Sequence, residues 1–166
     1  MSRRLELAVV AGVAILDQIT KLLVVREMGL YESIPVIPGL LNLTHIRNSG
    51  VAFGLLNASE FAFKPVVMAF VALGALIGVG LYATQLPLSH KWARGGLALI
   101  LGGAAGNLVD RARQGYVVDF VDAYWGGWHF WAFNVADAAI TVGVSILILD
   151  LLRPAAAAAP EASRVS

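Results

Sequence analysis

Four long apolar stretches run through this sequence, and they leave few folds open to it. About 20 consecutive apolar residues are enough for a helix to cross the hydrocarbon core of a bilayer. The stretches are Leu5–Val25, Val66–Leu86, Gly96–Leu108 with its flanks, and Val135–Leu152. The third reaches spanning length only if Trp92–Arg94 and Asp110 lie at the two interfaces, which sets a helix over about 93–110. Composition agrees. Hydrophobic residues make up 58% of the 166 residues and charged residues 14%, where a soluble domain carries about 25%. The expected architecture is an all-α membrane bundle of four transmembrane helices. It forms one domain over residues 1–153, followed by a low-complexity tail, 154–166, expected to be disordered and cytoplasmic. The first stretch contains Asp17 and Lys21 and lacks a clear small-residue cleavage site, so it reads as a retained span and not a removed signal.

Positive charge in short loops orients membrane helices. Arg3 and Arg4 precede the first span, His90, Lys91 and Arg94 fall between the second and third, and Arg153 follows the fourth. These places share one side, which puts both termini in the cytoplasm. The other side then carries Arg26–Lys64 and Arg111–Phe133. Within the first of these, "IPGLLNLTHIRNSGVAFGLL" has β-branched and aromatic residues in partial alternation and a turn signal at Asn48-Ser49-Gly50. It predicts a small strand-rich element. "SEFAFKPVV", beginning at Ser59, predicts a short interfacial helix. "YVVDFVDAYWGGWHFWAF" is dense in aromatics, and Trp125, Trp128 and Trp131 suit an interfacial belt. Gly74 and Gly78, and Gly102 and Gly106, have the four-residue spacing that lets membrane helices pack closely.

Ionisable groups inside apolar helices are expensive and raise a functional hypothesis. Here they share one depth. Asp17 and Lys21 lie four apart in the outer half of the first helix. Asn107 and Asp110 end the third helix, Asn134 and Asp137 begin the fourth, and Asp119 and Asp122 lie between. Structural explanations compete for several of them. Asp17 and Lys21 can neutralise one another, with Lys21 snorkelling outward. Asp110 can pair with Arg111. Asn134 can cap the fourth helix, leaving Asp137 in a first turn that favours negative charge. Asp122 reads as solvated.

The absence of cysteine excludes thiolate catalysis, disulfides and cysteine metal sites. The three histidines are too dispersed to predict a metal site, and no serine, histidine and acid fall in a local catalytic pattern. A net charge of +1 gives no field for nucleic acid. Carboxylates remain. Two that face each other cannot both ionise easily and share a proton, one serving as general base on water and the other as general acid. Spacing alone leaves Asp110, Asp119 and Asp137 competing for the two roles.

Five motifs occur in order: "LDQITK" at Leu16–Lys21, "RNSGVAFG" at Arg47–Gly54, "GGAAGNLVDR" at Gly102–Arg111, "VVDF" at Val117–Phe120 and "FNVADAAI" at Phe133–Ile140. Together they resemble the lipoprotein signal peptidases (signal peptidase II). The resemblance implies a membrane aspartic endopeptidase that removes the signal peptide of a bacterial prolipoprotein, cutting N-terminal to a cysteine that already carries diacylglycerol. It implies Asp119 and Asp137 as the catalytic pair and Asn48, Asn107, Arg111 and Asn134 as substrate-binding residues. Asp17, Lys21, Asp110 and Gly50 become supporting residues. It implies no cofactor and no metal. The expected partners are the lipidated prolipoprotein and membrane lipid, with no nucleic acid. The chain is expected to be monomeric in the bacterial cytoplasmic (inner) membrane, with its site near the outer surface. Asn48 is expected to contact substrate from the loop and to leave the pH dependence of the pair untouched. Two other classes fit the buried acids less well. A proton-coupled transporter would place them near the midplane between internal repeats, and an assembly factor would use them to dock a partner.

Overall fold

The computed structural model describes residues 1–50 and 63–152. Four helices and a four-stranded antiparallel sheet follow the order α1 (Arg3–Glu27), β1 (Ser33–Ile37), β2 (Leu41–Asn48), α2 (Lys64–Gln85), α3 (Lys91–Gln114), β3 (Val117–Trp125), β4 (Trp128–His129) and α4 (Val135–Leu151). Local chemistry sets several boundaries. Ser2 Oγ accepts the amide of Leu5 at the start of α1. Pro65 stands in the first turn of α2, where its missing N–H has no intrahelical partner to lose. Gly115 ends α3 with φ +79°, a conformation that glycine adopts without steric cost. Asn134 and Asp137 form a reciprocal capping box on α4.

Helix α3 is the centre of the bundle and packs against α1, α2 and α4. Its glycines make this possible. A Cβ at Gly102 would lie 2.8 Å from Val13 Cβ, and one at Gly96 would lie 2.7 Å from the Gly143 carbonyl. A Cβ at Gly106 would strike the Asp17 carboxylate. The packing expected of Gly102 and Gly106 is therefore present. Gly74 and Gly78 have open space where a Cβ would sit.

Among the described residues, two helices, α1 and α2, are long and apolar enough to cross a membrane by length and composition. The third helix is longer than the expected 93–110 because polar turns extend it to Lys91 and Gln114. Helix α4 has 17 residues. The expected helix at Ser59, the second half of the "RNSGVAFG" motif and the tail from Arg153 lie outside the described residues.

The strand-rich element is present as β1 and β2, but it is larger than expected. β2 also pairs antiparallel with β3, bringing Asn48 opposite Val117 and Ile46 opposite Asp119. β3 then turns at Gly126-Gly127 into β4. Two glycines between Trp125 and Trp128 are a two-residue hairpin signal, and Gly126 has φ +60°. The strong aromatic character of this stretch masks that signal. A compact core of Val24, Met28, Val118 and Phe120 joins the end of α1 to β3 and holds the sheet over the polar end of the bundle.

Candidate active site

The sheet and the ends of three helices bring the polar residues together. Asp119 is carried by β3. Asn48 faces Val117 across the β2–β3 ladder, and Asp119, two residues further along, shares that face. Asn48 Nδ2 accordingly donates to Asp119 Oδ2 at 3.0 Å. Asn48 Oδ1 accepts the amide of Gly50 at 3.0 Å, so the side chain also closes the turn that its sequence predicted.

Asp137 comes from the first turn of α4. Its Oδ1 accepts Asn107 Nδ2 at 2.8 Å, and its Oδ2 accepts the Asn134 amide at 3.3 Å. Asn134 is wholly buried and connects the two acids. Its Oδ1 accepts the Asp137 amide at 2.9 Å. Its Nδ2 donates to Asp119 Oδ1 at 2.7 Å, with Asn107 Oδ1 and the Val118 carbonyl each at 3.3 Å. A helix cap and a carboxylate clamp are thus one side chain.

Behind this pair lies a charged cluster. Lys21 Nζ has three oxygens at 2.7 Å: Asp17 Oδ2, Asn107 Oδ1 and Asp110 Oδ2, the last as an ion pair. Asp17 Oδ1 accepts the Ala136 amide at 2.9 Å, which ties α1 to the start of α4. Gln18, which the sequence analysis passed over, donates to Asp110 Oδ1 at 2.9 Å and to the Gly106 carbonyl at 3.1 Å. It stands beside Asp17 in the first motif, so its position was visible there.

Three expectations are corrected. Lys21 pairs with Asp17 as expected but does not snorkel. It is 3% exposed, because a second carboxylate and an amide give it partners inside. Asp110 does not pair with Arg111. Consecutive helical side chains do not face one another, so Asp110 turns to Lys21 while Arg111 Nη2 donates to the Gly50 carbonyl at 2.9 Å. Asp122 is not simply solvated. It accepts Asn42 Nδ2 at 3.0 Å and meets His129 Nδ1 at 2.9 Å.

The Asp119 carboxyl is pushed up to about 7, first by burial and then by the charge of Asp137 beside it. Hydrogen bonds from Asn48 and Asn134 and the charge of Lys21 pull the other way. The Asn48 hydrogen bond is thus one of the contacts that favour the ionised form of Asp119.

A cavity of about 770 Å³ opens on this cluster. Asn48, Asn107, Arg111 and Asp137 supply its polar lining, and Met68, Val71, Ile140 and Phe130–Phe133 are among its apolar walls. Among the described residues, no group of three or more histidines and acids is placed to hold a metal ion.

The family model for signal peptidase (SPase) II matches residues 9–153. The lipoprotein signal peptidase of Geobacter sulfurreducens is 46% identical over 153 residues, covering 92% of this chain and 94% of that one. That of Syntrophus aciditrophicus is 44% identical over 141 residues, covering 85% and 88%. A bacterial membrane enzyme solved by the in meso method at 2.3 Å resolution superposes with a TM-score of 0.81 at 32% identity, over 90% of this chain and 88% of that one. Another, solved by the same method at 1.9 Å, gives 0.80 at 28% identity over 92% and 96%. With nearly the whole chain matched in sequence and in fold, this protein belongs to the signal peptidase II family.

Proposed function

We propose that the chain removes signal peptides from prolipoproteins by aspartic catalysis, with Asp119 and Asp137 sharing one proton. The observation that carries this reading is the Asn134 bridge: its side-chain amide donates to the Asp119 carboxylate and its backbone amide to the Asp137 carboxylate, and Asp137 lines a cavity. In this reading Asp119, whose affinity for a proton is raised by burial and by Asp137, holds the shared proton, and Asp137, on the cavity wall, is the ionised partner.

Asp137 takes a proton from a water, and the resulting hydroxide adds to the carbonyl carbon of the scissile peptide. Asp119 gives its proton to the carbonyl oxygen. On collapse of the tetrahedral intermediate, Asp137 passes its proton to the departing amine and Asp119 recovers one from a hydroxyl of the intermediate. The pair is restored, and each side chain has acted once as acid and once as base. No metal or organic cofactor enters these steps.

By likeness to the family, the bond cut is the one N-terminal to a cysteine bearing diacylglycerol. The cavity suits such a substrate. Most of its lining from α2 and α4 is apolar, with Asn48, Asn107, Arg111 and Asp137 as polar groups, so it offers a lipid-bearing peptide both hydrocarbon contact and the acid. Asn107 and Asn134 are committed to the carboxylates and the Lys21 cluster, while Asn48 and Arg111 hold the Asn48–Gly50 turn at the cavity wall. Their part in substrate binding is to fix the surface that the peptide meets.

All four helices cross the bacterial cytoplasmic membrane in this reading, with both termini inside, the sheet outside and the chain acting as a monomer among membrane lipids. The chain lacks cysteine, which makes the orientation easy to test. A cysteine placed at Gln114 reacts with an impermeant thiol reagent applied outside, and one at Ser89 does not. The reverse pattern overturns the orientation. The catalytic assignment is tested by prolipoprotein processing in cells that depend on Asp119→Asn or Asp137→Asn. Uncleaved, lipidated precursor accumulates in both, and normal processing by either rejects the pair.

A further inference from the structure

Lys64 is a buried cation that the catalytic reading leaves without a role. It opens α2 and is 3% exposed. Its backbone is fixed from below. The neighbouring Pro65 packs so closely on the end of α3 that a Cβ at Gly115 would lie 3.1 Å from Pro65 Cβ. From this anchored start the side chain reaches across to the first outer loop, and Nζ donates to Ser49 Oγ at 3.1 Å.

Ser49 is the middle residue of the Asn48–Gly50 turn. One flank, Gly50, presents its carbonyl to Arg111 at 2.9 Å. The other, Asn48, presents its amide to Asp119 at 3.0 Å. Two cations on different helices, Lys64 of α2 and Arg111 of α3, thus hold adjacent groups of one short turn, and the turn holds an acid. A buried ammonium needs polar partners, and the turn supplies one in Ser49 Oγ. Met68, one helical turn further along α2, lines the same cavity as Asn48, so the helix that carries Lys64 is also a wall of the site.

We propose that Lys64 is a positioning residue for cleavage: by donating to Ser49 Oγ it works with Arg111 to hold the Asn48–Gly50 turn, and so keeps the Asn48 amide on Asp119. The proposal rests on the reading of Asp119 and Asp137 as the catalytic pair. Among the described residues, the charged groups facing Asp119 are Asp137 from α4, Lys21 from α1 and Arg111 from α3. None of these is altered in the test below, so the variants report on the turn.

The experiment is a set of pH–rate profiles on the purified full chain in detergent, with a lipidated prolipoprotein as substrate. The variants are Lys64→Met, Lys64→Arg, Ser49→Ala and the Lys64→Met/Ser49→Ala double, alongside Asn48→Ala. Loss of the Asn48 amide raises the affinity of Asp119 for its proton, so the alkaline limb moves to higher pH. Lys64→Met and Ser49→Ala each move it in the same direction as Asn48→Ala, by on the order of half a pH unit. Each also lowers kcat by about tenfold through misplacement of the pair. The double variant moves it no further than either single, because both remove one contact, and Lys64→Arg restores most of the rate.

Wild-type profiles in both single variants overturn the proposal. So does a fall in Tm and in rate with an unmoved alkaline limb, which marks Lys64 as structural only. Should Lys64→Met fail to fold, Ser49→Ala decides alone, since it leaves the buried charge in place. Failure of the catalytic reading is separate: Asp119→Asn then retains activity whatever Lys64 does.

Discussion

Two clusters of acids lie side by side at the same end of this bundle, and they differ in what neutralises them. Asp17 and Asp110 share the ammonium of Lys21. Asp119 and Asp137 are held by the amides of Asn48, Asn107 and Asn134. A cation in contact makes a carboxylate one half of an ion pair that ties elements together. A neutral amide orients a carboxylate without fixing its charge, so burial and a like neighbour can hold its proton near neutral pH. Asn107 stands between the two clusters. Its Oδ1 accepts from Lys21 and its Nδ2 donates to Asp137, so the charged cluster orients the amide that orients the acid. The residue type is the same in both places, and in the proposed reading the partners separate the roles.

The largest test of this contrast is to remove one acid from each cluster and compare activity. Asp119→Asn and Asp137→Asn each lower kcat/KM by about 10²–10⁴-fold or more, the range attributed to positioned acid–base groups. Asp110→Asn keeps the pair intact and loses less in a processing assay run well below its Tm. Equal losses in all three would erase the distinction between the clusters.

Stability reverses the order. Lys21→Met leaves Asp17 and Asp110 buried without their cation, and breaking such a cluster costs about 3–5 kcal/mol. Thermal unfolding in detergent falls sharply for Lys21→Met. Asp110→Asn falls less, because Lys21 keeps Asp17 and Asn107. A Lys21→Met protein as stable as wild type would mean that the ammonium is not what holds this end of α1.

Sequence reading reached one side of this contrast more easily than the other. The capping box of Asn134 and Asp137, the turn at Asn48–Gly50 and the Asp17–Lys21 pair are local, and each is written in residues at most four apart. The fold of the helices was legible for the same reason, since their apolar runs are local. Partners from distant elements were not. Nothing near Asp110 points to Lys21, 89 positions away in the chain and on another helix, and adjacency wrongly suggested Arg111. The β2–β3 pairing, which places Asn48 on Asp119, joins residues 71 apart. Choosing between Asp110 and Asp119 therefore needed either the fold or likeness to a family.

The smallest test concerns the protonation of Asp119 alone. Its folded-state affinity for a proton is raised, to about 7, above the ordinary value of about 3.9 that an unfolded chain restores. Between those two pH values the folded protein holds more protons at this site than the unfolded one. By linkage its contribution to stability is fully present below about pH 4, declines as pH rises towards 7, and is flat beyond. The sign is opposite to that of a carboxylate in a salt bridge, which stabilises more as pH rises. Asp119→Asn removes the titrating group and with it this slope. Tm of wild type, measured in detergent from pH 5 to pH 8, therefore declines relative to Asp119→Asn. A difference between the two that stays constant across that range would show that Asp119 is ionised throughout, and would remove it as the proton-holding member of the pair.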